Sequence, residues 1–130
     1  MDKEEWLLDQ HVREGIMLGQ DLLLRHEAAR RFVDDVERLG LTILGIHFFW
    51  EMPASEAKQF LAERRLPPYG IAMRPEGKVL IECNQYADFS QFGKLKDRAP
   101  RSVAAARQVL GTQLPEGTAW AQVVLEPLKV

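Results

Sequence analysis

The sequence predicts an α+β fold: a mixed β-sheet of four to five strands with two to three helices packed on it, in a single domain. Three observations carry this. The run Leu41 to Met52, LTILGIHFFWEM, is apolar on both alternating faces, so it belongs in the middle of a sheet with packed layers on both sides. His26 to Leu39 places Ala28, Ala29, Phe32, Val33, Val36 and Leu39 on one helical stripe and Arg30, Arg31, Asp34 and Glu37 on the other side. Residues 71–74 and 78–83, IAMR and KVLIEC, flank Pro75-Glu76-Gly77, a turn of the kind that joins antiparallel strands.

The remaining elements follow in order. Residues 5–12, EWLLDQHV, read as a short helix, after which Gly15 and Gly19 bracket an irregular, partly buried stretch. Leu22 to Leu24 read as extended, the alternative being a first helical turn capped by Asp21. Gly40 ends the 26–39 helix as a left-handed cap. Pro53 and Ser55 open a helix over 54–64, with Ala57, Phe60 and Leu61 inward, and Pro67 and Pro68 stop it. Residues 84–100 show no clean periodicity. Ser102 is placed as the N-cap of a helix over 101–110 that closes at Gly111, and Thr118 to Leu125 is a final, largely buried strand.

Composition narrows the function classes. The chain has 130 residues, 46% hydrophobic and 28% charged, enough to bury a core without disulfides or a structural metal. The lone Cys83 has no internal disulfide partner, and MDKEEWLLDQ lacks the basic flank and apolar centre of a signal peptide, so the expected compartment is the cytoplasm. Apolar stretches are interrupted well before the roughly 20 residues that cross a bilayer, so no membrane span is expected. Residues 1–60 hold 7 basic and 12 acidic side chains and residues 61–130 hold 10 and 7, an asymmetry able to steer a charged partner.

Chemical motifs are sparse. His11, His26 and His47 fall on three elements without zinc spacing, and no metal site or cofactor is expected. His47 in the central strand reads as a hydrogen-bonded core histidine, with a general base as the alternative. Cys83 reads as a small packed residue rather than a nucleophile. Gly15 to Gly19 and Gly40 to Gly45 lack the third glycine of a dinucleotide loop. Lys94, Lys96, Arg98 and Arg101, near Phe89 and Phe92, have the composition of a nucleic-acid patch, but a pI of about 5.9 argues for a surface charge patch or a protein interface instead. The aromatic and polar residues left for recognition are Trp50, Tyr69, Tyr86, Phe89 and Phe92, with Glu51, Glu82, Asn84 and Asp88. Trp50 and Phe89 are balanced between core and surface, whereas Tyr69, behind two prolines, and Tyr86 read as exposed.

The succession GIMLG at 15–19, Leu22 to Leu24, an alanine-bearing helix from Glu27 and GLTILG at 40–45 resembles small bacterial immunity proteins of polymorphic toxin systems, the group catalogued as immunity protein 40. Ser102-Val103-Ala104-Ala105 followed by Gln122-Val123-Val124 resembles the distal part of the same family. The chain departs from the family pattern at Ile46, in the aromatic run Phe48-Phe49-Trp50, and in the helix 54–64, which looks like an insertion. The resemblance implies a binding protein that is not an enzyme and that neutralises a cognate toxin domain by stoichiometric inhibition in the cytoplasm. Trp50, Tyr69 and Tyr86 are then expected as anchors, accompanied by Asn84, with Glu51, Glu82 and Asp88 as the acidic complement. The second reading is a small enzyme or ligand-binding domain with a pocket near His47, Trp50 and Glu82. The third is a homodimer formed through an exposed sheet edge.

Overall fold

A computed structural model describes residues 2–67, 71–89 and 95–126. The elements run α1 (Lys3–His11), β1 (Gly15–Leu18), β2 (Asp21–Arg25), α2 (His26–Leu39), β3 (Ile43–Pro53), α3 (Ala54–Glu63), β4 (Ile71–Met73), β5 (Lys78–Asp88), α4 (Leu95–Thr112) and β6 (Trp120–Leu125). The six strands form one sheet in the order β1-β2-β6-β3-β5-β4, and every adjacent pair is antiparallel. The α+β class holds, but the sheet is wholly antiparallel rather than mixed. Among the described residues there are six strands and four α-helices, more of each than the sequence suggested.

The additional elements have local causes. Asp2 accepts a hydrogen bond from the Glu5 amide at 2.8 Å, which starts α1 two residues before the expected boundary. Gly15–Leu18, expected to be irregular, pairs with Asp21–Arg25 from Gly15 opposite Leu24 to Leu18 opposite Asp21, so the glycine-bounded stretch is a hairpin strand. Gly40 does cap α2 in the left-handed region, with φ of 70°. Helix α3 ends at Glu63, before the prolines expected to stop it, and Arg65 takes a positive φ of 55° just beyond.

Strand β5 is the largest departure from expectation. It continues through Asp88, where alternation in the sequence lapses, because its pairing with β3 jumps from Phe49–Glu82 to His47–Tyr86. Four residues of β5 thus advance against two of β3, and a bulge of this kind breaks the period-two pattern without ending the strand. A second irregularity lies in β3, whose pairing with β6 shifts between Ile43 and Gly45. This puts Ile43 into the same apolar cluster as Ile46, Phe48 and Trp50, not with Gly45, His47 and Phe49 as strict alternation requires. At Gly45 a Cβ would lie 2.4 Å from the Ala87 carbonyl oxygen, so the close approach of β5 there needs glycine.

Helix α4 also starts earlier than expected, at Leu95, and accommodates Pro100 at the loss of one backbone hydrogen bond. Ser102 is therefore inside the helix and is not its N-cap. Fully buried, its Oγ donates to the Ala99 carbonyl at 2.8 Å and accepts the Ile43 amide at 3.0 Å, tying α4 to the start of β3. Two arginines clamp α2 to α4. Arg30 donates to the Leu110 carbonyl at 2.6 and 3.2 Å, and Arg107 bridges Asp34 and Glu37 at 2.8 to 2.9 Å. That bridge holds the Glu37 carboxyl below its ordinary pKa and raises that of Arg107. On the other side of α2, the buried His11 sits between Glu14, 3.0 Å from Nδ1, and Asp35, 2.7 Å from Nε2, with its ring edge on Phe32. The His11 hydrogen bond, and then Arg31, hold the Glu14 carboxyl below its usual value.

The main core lies between the helices and one face of the sheet, with Phe32, Val33 and Val36 of α2, Val103, Ala106 and Leu110 of α4, and Ile46, Phe48 and Ile81 of the strands. A second cluster of Leu23, Phe49, Leu80 and Trp120 lies on the opposite face. Its neighbours are Ile16 and Leu18 of β1, Ala72 of β4, and Ala119, and none of these belongs to a helix. Strands from the two ends of the sheet order meet on this one cluster, so the sheet curls over it. The second layer expected over β3 is the sheet itself.

Two measurements test this packing. Ser102→Ala leaves the buried Ile43 amide without its acceptor, and urea unfolding should show a loss of about 1–3 kcal/mol; a loss within scatter of wild type removes the tie. His26, at the start of α2, has its buried Nε2 unpartnered and its ring centroid 6.2 Å from that of Phe48 in an edge-to-face arrangement. Burial, and then Arg30 and Arg25, hold its pKa below the ordinary 6.5. Below about pH 6.5 the unfolded chain takes up a proton that the folded chain resists, so stability is fully present above that pH and declines as pH falls toward the folded pKa. The difference in urea midpoint between pH 7.5 and pH 5.5 should shrink in His26→Asn; an unchanged difference refutes the assignment.

Candidate functional site

The face of the sheet turned away from the helices holds two linked rows of side chains. Cross-strand register puts Tyr86, His47 and Gln122 in one row, and Glu82, Phe49, Trp120 and Arg25 in the next. Phe49 and Trp120, 6% and 7% exposed, form the floor, while Tyr86 at 61% is among the most exposed large hydrophobic residues described. Each strand supplies these residues by alternation, so a face with a packed floor and polar neighbours arises from ordinary strand geometry.

Two local networks fix the exposed groups. His47 Nδ1 lies 2.9 Å from Glu82 Oε1, and the His47 ring stacks on Tyr86 with centroids 5.5 Å apart and planes 16° from parallel. The imidazole is thereby held by a carboxylate on one edge and a phenol on one face. In the neighbouring network the Arg25 guanidinium lies 3.9 Å over the Trp120 ring. The Trp120 indole N–H donates to Glu51 Oε2 at 3.3 Å, and Arg25 donates to Glu51 Oε1 at 3.5 Å. Asp88, opposite Gly45, alternates onto the same face as Tyr86.

The recognition residues expected from the sequence are therefore divided. Glu51, Glu82, Tyr86 and Asp88 come together on this face. Trp50 does not: it is 8% exposed in the helix-side core, its ring edge-to-face with Phe60 at 5.0 Å between centroids and its indole N–H bonded to the Glu116 carbonyl at 3.0 Å. Adjacent strand residues point to opposite faces, so Trp50 and Glu51 cannot share a surface. Asn84 is a residue of the β5 bulge, with its side chain outside the described part, and Tyr69 lies outside the described residues, as does Phe92. Phe89 is buried in the core. A pocket uniting His47, Trp50 and Glu82 is likewise corrected, because Trp50 is on the other side of the sheet from the His47–Glu82 pair.

Arg25, Phe49, Trp120 and Gln122 were not singled out by sequence reasoning. Trp120 and Gln122 do share a face in the alternation of the last strand, but only the pairing of β6 with β2 and β3 reveals what stands beside them. His47 has an orienting carboxylate in Glu82, with Tyr86 stacked on its ring and Gln122 opposite it on β6, and Cys83 is buried in the helix-side core. Among the described residues no group of three or more His, Cys, Asp or Glu is placed to hold a metal ion. A hollow of about 200 Å³, lined by Phe48, Tyr86, Ala87, Val109, Gln113 and Pro115, opens on the helix side of the sheet and is smaller than the ~300–1,000 Å³ usual for metabolite sites.

No family model, curated protein or solved structure matches the chain. Among the described residues no helix is long and apolar enough to cross a membrane.

Arg25→Ala removes the cation from the Trp120 face. The expected loss is about 0.5–1 kcal/mol in urea unfolding, the range for an exposed cation–π contact; Arg25→Ala equal in stability to wild type contradicts it.

Proposed function

We propose that the chain is a stoichiometric binding protein that neutralises a cognate bacterial toxin domain, acting in the cytoplasm through the sheet face centred on Tyr86. One observation carries this reading: Tyr86 is 61% exposed yet held against the His47 ring, which Glu82 holds in turn. An aromatic anchor fixed before binding gives up little conformational entropy on docking, which is the property that concentrates binding energy in tyrosine and tryptophan.

Charge supports a protein partner rather than a nucleic acid. Among the described residues the face carries the carboxylates of Glu51, Glu82 and Asp88 beside the cations of Arg25 and Lys78, and part of the Glu51 charge is engaged by Arg25. Such a surface repels phosphate and favours a basic patch, as found around active sites that bind nucleic acid. The toxin reading takes its partner class from the family resemblance; the geometry supplies the anchor and the charge. A homodimer is a second assembly compatible with exposed strand edges, since Met73 of the three-residue edge strand β4 is 69% exposed.

The test begins with the gene next to the one encoding this chain. Co-expression with a toxin domain encoded there should yield a one-to-one complex, and Tyr86→Ala should weaken it by about 2 kcal/mol or more, roughly thirtyfold, in calorimetric titration. Unimpaired binding by Tyr86→Ala displaces the site. The absence of a toxin-encoding neighbour, with no protection of cells expressing the chain against any toxin of its host, overturns the function.

A further inference from the structure

Tyr86 offers a partner one ring face, and its surroundings indicate what belongs on it. The other face is taken by His47, whose ring is stacked on it with centroids 5.5 Å apart. His47 is the residue opposite Tyr86 on β3, so the free face of Tyr86 is the one turned away from β3. Strand β4 does not extend to this level: it pairs with β5 from Val79 to Ile81, and among the described residues no strand lies beside β5 at Tyr86. With the residue 61% exposed, that ring face is open to solvent.

The charge beside the ring is negative. Glu82 lies on the same face of β5, its side chain 48% exposed, with Oε1 engaged by His47 and no partner for Oε2 among the described residues. Asp88, on the same face, carries a second carboxylate. The cations of the face stand elsewhere: Arg25 lies over Trp120, and Lys78 is opposite Pro53 at the other end of β5. The adjoining row already contains the complete form of this chemistry. There an aromatic ring, Trp120, has the Arg25 guanidinium 3.9 Å over it, and a glutamate, Glu51, accepts from that guanidinium. The Tyr86 row has the ring and the glutamate, and among the described residues it has no arginine.

We propose that Tyr86 and Glu82 form an acceptor for an arginine side chain of the protein partner, the guanidinium lying flat on the free ring face and donating to the Glu82 carboxylate. The electron-rich face of the ring attracts a cation, and a planar guanidinium can stack on it while its in-plane N–H groups reach a carboxylate. A lysine ammonium is a compact, strongly hydrated charge that cannot stack, so the site prefers arginine. The proposal rests on the reading of the Tyr86 face as a partner-binding surface and specifies what the partner presents to it.

The probe is a capped heptapeptide of three arginines separated by glycines, titrated into the full chain at low ionic strength and followed by chemical shifts. Saturable shifts centred on Tyr86, His47 and Glu82 are expected. The lysine version should bind about two- to fivefold more weakly, the span of an exposed cation–π contact, and the uncharged citrulline version should not saturate. Tyr86→Leu should bring the arginine and lysine peptides level, Tyr86→Phe should keep the preference, and Glu82→Gln should weaken the arginine peptide about two- to fivefold, as for loss of an exposed ion pair. Equal binding by the citrulline peptide overturns the acceptor, as do an arginine preference that survives Tyr86→Leu, an unaffected Glu82→Gln, or no saturable shift up to the solubility limit of the peptide. Because no toxin takes part, failure here leaves toxin neutralisation standing, and the lack of a toxin-encoding neighbour leaves the arginine acceptor standing.

Discussion

Strand β3 has apolar side chains to bury on both faces, and the helices cover only one. Ile46, Phe48 and Trp50 face α2, α3 and α4, while Phe49 between them faces the other way, where the described residues offer no helix. A central aromatic left in water forgoes a burial free energy of about 1.5–3 kcal/mol, so the sheet must cover it by its own curvature. The edge strands do this: Ile16 and Leu18 from one end and Ala72 from the other converge on Phe49, Leu80 and Trp120. Much else in the structure follows from that curl, because it fixes which side chains stand around a buried floor and which are left outside it.

The polar groups of the candidate site are arranged by the same constraint. Arg25 and Glu51 do not pair as free surface ions; they close over the Trp120 indole that the curl has buried. His47, Glu82 and Tyr86 lie one row further out, past the limit of the apolar floor, where the β5 bulge changes the register with β3. The bulge brings Tyr86 opposite His47, and without it another residue of β5 would stand there. A local defect in pairing therefore creates the His47–Tyr86 contact of the candidate site.

The ladder between β2 and β6 is short, Leu24 opposite Ala121 and Arg25 opposite Trp120, and a hollow of about 230 Å³ beside it is bounded by Leu8 of α1 and Phe32 of α2.

Residue patterning alone determined the α+β class, the amphipathic helix 26–39 with its Gly40 cap, the apolar central strand and the hairpin around Pro75-Glu76-Gly77, because each rests on a period or turn preference contained within about a dozen residues. It named Glu51, Glu82, Tyr86 and Asp88, together with Trp50, Tyr69 and Asn84, as recognition residues from strand ends and exposed aromatics, and strand pairing brings the first four to one face. Only tertiary structure decided that Trp50 is core, that Arg25 and Trp120 belong beside Glu51, that Ser102 holds β3 from inside a helix, and that the sheet is antiparallel and curls on itself. Those outcomes depend on which strand lies next to which and on two shifts of register, and pairing is set by contacts between residues far apart in the chain, so no period in one segment encodes it.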